Sequence, residues 1–385
     1  MTDTGFSLTA SGLFDRVFGR RRFVAADSKR LELRAATAAL VAWVPLAVAV
    51  LLTGGGSDEV SMRFLEDIET HVRFLVVLPL LIFAERVIGH RTKAVADTFL
   101  ASSLIPQEEL PGFRSAGNGV KRLLDSVFVE LILLALAYAV FWLGFRTRMG
   151  YEINWFDAGP GAERLTAAGW WYVLVGPIVG FLFFRWMWRY GVWTWFLYRV
   201  ARLDLRLVGT HPDRAGGLGF VKIGHAAFGA VFFAGSCIVA GVIANEIFNH
   251  EAPLVTFQTP IIAFAVIAIG LGLAPLLVFR RPLVRAKRQW TIEYSKMATH
   301  YVQTFERKWL GGRAASDDEL AISSDLQGLA DLGGSLDRLG EMSRYFLDVK
   351  TATVFAIAVL LPFVPLVLTV VPLEEFFMLA LKVMA

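Results

Sequence analysis

Long apolar stretches separated by shorter polar segments run along most of this 385-residue chain. Several of the stretches exceed about 18 residues, which lets an α-helix cross a hydrocarbon layer of roughly 30 Å. None of them alternates apolar and polar residues with a period of two, as the strands of a membrane barrel do. Because a helix satisfies its own backbone hydrogen bonds in lipid, the pattern predicts an all-α membrane protein.

The apolar pattern predicts a bundle of about seven transmembrane helices. Pro362 and Pro365 interrupt the last of them, so the pattern allows either a full crossing or a re-entrant hairpin there. The predicted spans are 35–52, 72–88, 126–145, 170–189, 221–246, 257–279 and 351–371.

Composition agrees with this class and excludes several kinds of chemistry. Hydrophobic residues make up 56% of the chain, more than a soluble domain normally carries. The single cysteine, Cys237, excludes an internal disulfide and a cysteine-based zinc site. The sequence contains no Walker loop, HExxH helix or Gly-x-Ser-x-Gly elbow. It therefore predicts no cofactor, no metal and no catalytic residue, and we expect no binding of nucleic acid.

Lysine and arginine are distributed unevenly between alternate connections of the predicted bundle. The N-terminal segment and the connections after the second, fourth and sixth spans hold 28 of them, whereas the remaining connections and the C-terminal tail hold 5. Loops rich in Lys and Arg stay in the cytoplasm. The sequence thus predicts a multi-pass protein of a bacterial inner membrane, with a cytoplasmic N-terminus and a periplasmic C-terminus. The lipid bilayer and its anionic headgroups are the expected partners of the basic face.

Two apolar stripes at helical spacing follow the sixth span, one from Trp290 to Phe305 and one from Ile322 to Phe346. They predict either a cytoplasmic helical hairpin or two helices that face a second copy of the chain in a homo-oligomer. The predicted segments are a basic interfacial segment at 1–34, helices 1–3 at 35–145, helix 4 at 146–189, a basic helix with a Gly-rich loop at 190–220, helices 5 and 6 at 221–279, the hairpin at 280–350, and helix 7 with a short outer tail at 351–385.

The densest cluster of glycine, proline and ionisable residues is HPDRAGGLGF, at 211–220. This run resembles a stretch of bacterial multi-pass membrane proteins of unassigned function, and the resemblance implies a membrane location but no activity. Asp213 can cap exposed amides, and the glycines permit close approach of the backbone. The run predicts either a rigid linker into the fifth span or an anion site formed by His211, Asp213, Arg214 and the loop amides.

Ionisable residues within the predicted spans are the other candidates, because they are costly in lipid and often functional. Glu130, Arg185 and His225 each lie about one turn from the cytoplasmic end of a span, level with the Gly-rich run. We expect an ion pair between Glu130 and Arg185 with His225 nearby, serving either as part of a polar vestibule or as a structural salt bridge.

The basic residues after the fourth span are candidates for contact with lipid. The helix is predicted to continue to about residue 207, which would place Arg199, Arg202 and Arg206 on an arc facing lipid headgroups. Long basic side chains commonly reach from a helix end to the interface in this way, so the alternative is an anchoring role only.

Three classes of function are compatible with the sequence. A channel or transporter with a cytoplasm-facing vestibule is the first, and because the midplane holds few polar residues its gate would be a hydrophobic constriction. A non-catalytic platform that binds anionic lipid or a protein partner is the second. A membrane enzyme acting on a lipid headgroup is the third and rests on His211, Asp213 and Glu130, although the lack of a catalytic motif favours a non-catalytic protein.

Overall fold

The structure is a computed structural model, and its described part is helical and contains no β-strand. This confirms the predicted all-α class. The predicted interfacial helix at 13–24 lies outside the described residues. The described residues are 6–9, 28–53, 58–147, 155–156, 164–309 and 324–368.

Several of the described connections between helices are single 3₁₀ turns. The helices are α1 (Ser28–Thr53), α2 (Asp58–Glu66), α3 (Ile68–His71), α4 (Leu78–Ala101), α5 (Leu110–Leu124), α6 (Val127–Arg146), α7 (Ala167–Val200), α8 (Gly219–His225), α9 (Gly229–Asn249), α10 (Gln258–Leu273), α11 (Arg280–Trp309), α12 (Ser324–Glu341), α13 (Val349–Leu360) and α14 (Val364–Val367).

Six of the described helical segments are long and apolar enough to cross a membrane. The most enclosed of them contains α8 and α9, with 61% of its apolar window buried, whereas only 6% of the window of α6 is buried. The bundle is therefore built around α9, and α6 faces lipid. The six segments are Leu31–Leu52, Val127–Arg146, Ala167–Val200, Gly219–Asn249, Leu254–Trp309 and Val349–Val367.

The predicted span at 72–88 is absent from these six because it carries Arg73, Glu85 and Arg86. It is nevertheless a continuous helix, in which a π-helical segment at Val72–Val77 joins α3 to α4. This helix runs beside α7 through the depth of the bundle. Its beginning packs near the start of α7, and further along the Trp186 indole N–H donates to the Leu81 carbonyl oxygen at 3.0 Å. Two of its charges have ion-pair partners, since Arg73 pairs with Glu69 and Glu85 pairs with Arg189 of α7, whereas Arg86 is exposed.

Helix α7 ends at Val200, and the prediction that it continues to about residue 207 is wrong. Beyond Ala201 the chain turns and the Arg206 N–H donates to the Leu104 carbonyl oxygen at 2.8 Å. A bond to the connection between α4 and α5 replaces the next helical turn. Arg202 and Arg206 consequently lie on a loop at 201–218, which we call the central loop. The end of the bundle that carries it is the loop end, and the other is the far end.

The sixth span and the first hairpin helix form one helical rod from Leu254 to Trp309. Helix α12 packs back along this rod, and the Tyr301 hydroxyl donates to the Asp325 carbonyl oxygen at 2.9 Å. The hairpin therefore forms within one chain. Its second helix continues through Gly333 and Gly334 without a break.

The last predicted span is a single helical segment as far as it is described. Helix α13 continues through a 3₁₀ turn at Leu361–Phe363 into α14. Pro362 lies at the start of that turn, where its missing N–H removes no required hydrogen bond. Through residue 368 the chain forms no re-entrant hairpin.

Candidate functional site

The central loop folds around the carboxylate of Asp213. Oδ1 accepts hydrogen bonds from the N–H groups of Ala215 at 2.8 Å and Gly217 at 3.1 Å, and Oδ2 accepts one from Gly219 at 2.8 Å. His211 Nδ1 lies 2.8 Å from Oδ1. One side chain thus caps three amides that precede or begin α8, as the linker interpretation of this run predicts.

The backbone of the loop depends on its glycines. Arg214, Gly216 and Gly217 all have positive φ angles, of 54°, 66° and 95°. This region is open to glycine but costly for other residues. Gly217 also approaches another segment closely, because a Cβ atom there would lie 3.2 Å from Leu104 Cδ2. The succession of left-handed residues turns the amides inward onto Asp213.

Burial and hydrogen bonding act on Asp213 in opposite directions. Burial alone would raise the pKa of its carboxyl, but the backbone N–H donors of Ala215, Gly219 and Gly217, together with His211, outweigh it and lower the pKa below its usual range. Asp213 is therefore held as a carboxylate. The N–H groups of Ala215, Gly217 and Gly219 already donate to Asp213, so they cannot donate to an external anion. These amides therefore do not form the anion site that was the alternative prediction for this run.

The loop is docked against the helical hairpin and the segment that precedes α13. The Trp290 indole N–H donates to the Leu207 carbonyl oxygen at 2.6 Å. The Ser343 N–H donates to the Arg214 carbonyl oxygen at 2.9 Å, and Arg214 Nε lies 3.1 Å from Glu341 Oε2. The loop is consequently a rigid joint between the bundle and the hairpin.

A cleft with a volume of about 900 Å³ opens beside this joint, between α4, α8 and the start of α13. Its polar lining contains three cations and two carboxylates. Its apolar lining includes Ile223, which is 60% exposed, and three hydroxyl side chains, of Thr98, Ser102 and Thr351, also line it. We call it the loop-end cleft. Its charged residues are Arg91, Lys222, Lys350, Asp213 and Asp348, with His211 beside them.

Lys222 and Asp348 link two walls of this cleft. Lys222 Nζ lies 3.1 Å from Asp348 Oδ2, and Asp348 Oδ1 accepts the Thr351 N–H at 2.8 Å as the N-cap of α13. Burial alone would raise the pKa of Asp348, but its bonds to Thr351 and Lys222 outweigh burial and lower that pKa. Within the described residues, Arg91 and Lys350 make no ion pair.

Glu130 and Arg185 lie together, as their depth in the sequence predicts. Arg185 Nε is 3.5 Å from Glu130 Oε1, and both side chains are largely buried. One turn further along α7, Arg189 Nη1 bonds Glu85 Oε1 at 2.9 Å. The two pairs fix α6 and α4 to the same face of α7. They lie away from the loop-end cleft, because neither pair contributes to its lining.

His225 is bonded to other partners than Glu130 and Arg185. Its Nδ1 accepts the Trp193 indole N–H at 3.2 Å, and its Nε2 lies 2.7 Å from the Gly272 carbonyl oxygen. Because the indole can only donate, Nδ1 must accept and Nε2 must carry the hydrogen. His225 is therefore a neutral, fully buried link between α7, α8 and α10, and both of its ring nitrogens serve this link rather than the Glu130–Arg185 pair.

The structure also explains why the carbonyl oxygen of Gly272, near the end of α10, accepts hydrogen bonds from side chains. Pro275 has no N–H, so α10 cannot complete its last turn and the chain narrows to a 3₁₀ segment at Ala274–Phe279. The Tyr190 hydroxyl contacts the freed carbonyls of Leu271 at 2.7 Å and Gly272 at 3.0 Å. A proline in the sixth span therefore creates the acceptors that Tyr190 and His225 use.

The three basic lipid-contact candidates occupy different settings. Arg199 lies over the ring of Trp195 at 5.7 Å, and Arg202 over that of Tyr198 at 4.5 Å. Arg206 is exposed and its Nη2 lies 3.9 Å from a carboxylate of Glu108. They form no common helical arc, although all remain at the loop end.

A polar cluster at the far end was not predicted as a site. Asp67 Oδ1 accepts from the Thr70 N–H and from Asn245 Nδ2, and Oδ2 accepts the Trp155 indole N–H at 3.0 Å. Glu69 pairs with Arg73 one turn later. The sequence signal for this cluster is the concentration of five acids in 53–71 together with Asn245 inside a predicted span.

Comparisons of the chain with protein-family models, curated proteins and solved structures find no match. The class of protein accordingly follows from the fold: it is an integral, multi-pass, all-α membrane protein. Among the described residues, no group of three or more His, Cys, Asp or Glu side chains could hold a metal ion.

Proposed function

We propose that this protein is a non-catalytic membrane protein that binds an anionic phospholipid headgroup in the loop-end cleft. The proposal rests on the observation that both cationic side chains and an apolar wall line the cleft. Arg91, Lys222 and Lys350 provide cations, while Ile223 and Val354 provide an exposed apolar wall. A phospholipid has a matching division between its phosphate and its acyl chains.

The balance of charge in the cleft favours an anion. Its two carboxylates already have partners, since backbone amides hold Asp213 and the N-terminus of α13 holds Asp348. Arg91 and Lys350 have no carboxylate partner in the described chain. A phosphate group would therefore gain at least two cations without displacing an existing ion pair.

The depth of the cleft fits a headgroup. It lies where the apolar segments Gly219–Asn249 and Val349–Val367 begin, so its cations are at the level where a bilayer changes from hydrocarbon to phosphate. The distribution of Lys and Arg predicts that this is the cytoplasmic surface, where anionic lipids attract basic residues by about 1 kcal/mol per charge.

The experiment compares lipid binding by the purified full chain, using native mass spectrometry with phosphatidylglycerol and phosphatidylcholine. We expect a preference for phosphatidylglycerol that weakens as salt rises. The double variant Arg91→Gln and Lys350→Gln should lower the affinity for phosphatidylglycerol about 30-fold, which corresponds to about 1 kcal/mol for each lost charge.

A matched control removes two cations elsewhere at the loop end. Arg114 and Lys121 are exposed on α5, outside the cleft lining, so Arg114→Gln with Lys121→Gln should change the affinity by less than about twofold. Equal losses in the two double variants would indicate general attraction to a basic surface and would contradict a site in the cleft.

Transport is the second candidate function, and one observation favours it. The loop-end cleft and a cavity at the far end lie in opposite halves of the bundle and share no lining residue. Buried Phe228, Phe232 and Phe355 occupy the level between them along α9 and α13. This is the arrangement of a closed hydrophobic constriction. Ion flux into liposomes that changes with Glu130→Ala would support transport, whereas the platform function predicts no flux under any gradient.

A further inference from the structure

The far end contains an elongated cavity between α6, α7 and α9, which we call the far-end cavity. Its volume is about 310 Å³. Its lining on α7 extends from Tyr172 to Phe184, which is about 18 Å along a helix axis. The walls are almost entirely apolar, and an apolar cavity accepts hydrocarbon in preference to water.

Glycine creates the space. Gly144 and Gly180 line the cavity from α6 and α7. A Cβ atom on Gly144 would meet nothing within 4 Å, and one on Gly180 would only contact Ala137 at 3.6 Å. A larger side chain at Gly144 would therefore enter open space, and one at Gly180 would occupy the cavity wall beside Ala137 of α6. Because helix interiors disfavour glycine, these residues keep the cavity open at a local cost in helix stability.

One end of the cavity is charged. Asp67, Glu69 and Arg73 belong to its lining, and Glu69 and Arg73 form an ion pair. The guanidinium of Arg73 also lies 5.9 Å from the ring centre of Phe141, on the cavity wall. The π-helical segment that begins at Val72 directly follows these acids. Such segments recur at functional sites because they redirect side chains within a helix.

The polar end is chemically distinct from the loop-end cleft. It contains the Glu69–Arg73 ion pair beside Asp67, whose oxygens already bond Thr70, Asn245 and Trp155, whereas the loop-end cleft contains three cations and two carboxylates. A headgroup that carries both an ammonium and a phosphate can contact Glu69 and Arg73 together. A headgroup that is only anionic would face an excess of negative charge.

We propose that the far-end cavity binds one acyl chain of a zwitterionic aminophospholipid, with its headgroup at Glu69 and Arg73. The site is separate from the proposed headgroup site in the loop-end cleft. The proposal accounts for three features together: the elongated apolar cavity, the glycines that keep it open, and the mixed charges at one end.

The test uses photoreactive lipids and the full chain in nanodiscs of phosphatidylethanolamine and phosphatidylglycerol. Two probes carry the same mid-chain diazirine and differ only in these two headgroups. Mass spectrometry of the crosslinked peptides should show the phosphatidylethanolamine probe labelling peptides that contain 137–145 and 172–184. We expect at least about fivefold more labelling than with the phosphatidylglycerol probe, as about 1 kcal/mol of headgroup preference predicts.

Two glycine variants on α7 separate this cavity from the general lipid surface. Gly180→Leu fills the cavity and should lower labelling of both peptides about fivefold or more, if the preference for the chain is about 1 kcal/mol. Gly191→Leu is the control, since Gly191 is exposed on the same helix and a Cβ there meets nothing within 4 Å. It should leave the labelling unchanged, and melting curves check that both variants fold.

Two results would overturn the proposal. Labelling that is insensitive to Gly180→Leu would show that the probe reacts from the surrounding bilayer. Equal labelling by the two probes would remove the assignment to a zwitterionic headgroup. The cleft variant with Arg91→Gln and Lys350→Gln should leave this labelling intact, so failure at one site is distinguishable from failure at the other.

Discussion

Replacement of Asp213 by alanine is the sharpest test of the central loop. The substitution deletes both acceptor oxygens and leaves the N–H groups of Ala215, Gly217 and Gly219 without their present partner. These amides belong to a turn whose left-handed residues bring them together around that side chain. The loop should therefore open locally while the apolar spans remain folded.

The expected loss of local stability in Asp213→Ala follows from the removal of three hydrogen bonds to a charged acceptor. Such a bond contributes about 1.5–3 kcal/mol when it is buried. The side chain of Asp213 is 19% exposed, and water can reach the freed amides once the loop opens. We therefore expect a net loss of about 2 kcal/mol for the three bonds together rather than their full sum. This corresponds to about 30-fold faster exchange of the three amides.

Hydrogen–deuterium exchange of the protein in nanodiscs measures this local free energy directly. Asp204→Ala is the matched control, because Asp204 is an exposed carboxylate of the same loop. It should leave exchange at 215–219 unchanged. Asp213→Asn should give an intermediate effect, since its carbonyl oxygen can still accept from Ala215 and Gly217 while its amide faces the Gly219 N–H.

The same assay has a predicted pH dependence. The pKa of Asp213 is lowered in the folded loop. The stabilisation that its carboxylate gives the loop is therefore complete above the pKa of an unfolded aspartate, and it is lost as the pH falls through the pKa of Asp213 in the folded loop. Protection at 215–219 should persist at neutral pH and disappear only at strongly acidic pH. If Asp213→Ala exchanged as slowly as the unaltered chain, the carboxylate would not organise the loop.

Two further substitutions test the loop and the buried ion pair. Gly217→Ala should destabilise the loop by about 1–3 kcal/mol because of its positive φ, whereas Gly340→Ala, at a helical site with open space, should be neutral or stabilising in the same exchange experiment. Glu130→Gln should lower the melting temperature of the detergent-solubilised protein, as removal of one partner of a buried pair costs up to about 3–5 kcal/mol. The double variant with Arg185→Gln should recover part of the lost melting temperature. If the changes in melting temperature of the two single variants simply added in the double variant, the two side chains would not be coupled.

Much of the fold could be predicted because membrane helices have a simple sequence signal. Apolar length identified the helices on either side of the central loop, and two apolar stripes identified the hairpin. The helix at 68–101 shows the limit of that signal. Between Arg73 and Glu85 its uninterrupted apolar stretch is only about 16 Å long, so its course depends on partners such as Arg189, which lies far away in sequence.

The candidate site was only partly predictable, for a related physical reason. The pairing of Glu130 with Arg185 could be predicted from their similar depth in the membrane, because two opposite charges at the same depth in lipid are stabilised by pairing. Depth alone cannot give the rotation of a helix about its axis. His225 shares that level but faces Trp193 and a carbonyl freed by Pro275, which is a consequence of tertiary packing.

The link around His225 also bears on the choice between a platform and a transporter. A path between α7, α8 and α10 would have to break the bonds that Tyr190 of α7 and His225 of α8 make to the Gly272 carbonyl of α10. It would also have to displace Phe355, whose ring packs near that of His225 and lies so close to Gly272 that a Cβ atom there would clash with it. These contacts are buried and mutually dependent, so the arrangement is a closed one. Binding in the loop-end cleft requires none of these contacts to break, whereas a path along this route would break them together, and this difference is our reason for proposing the platform before transport.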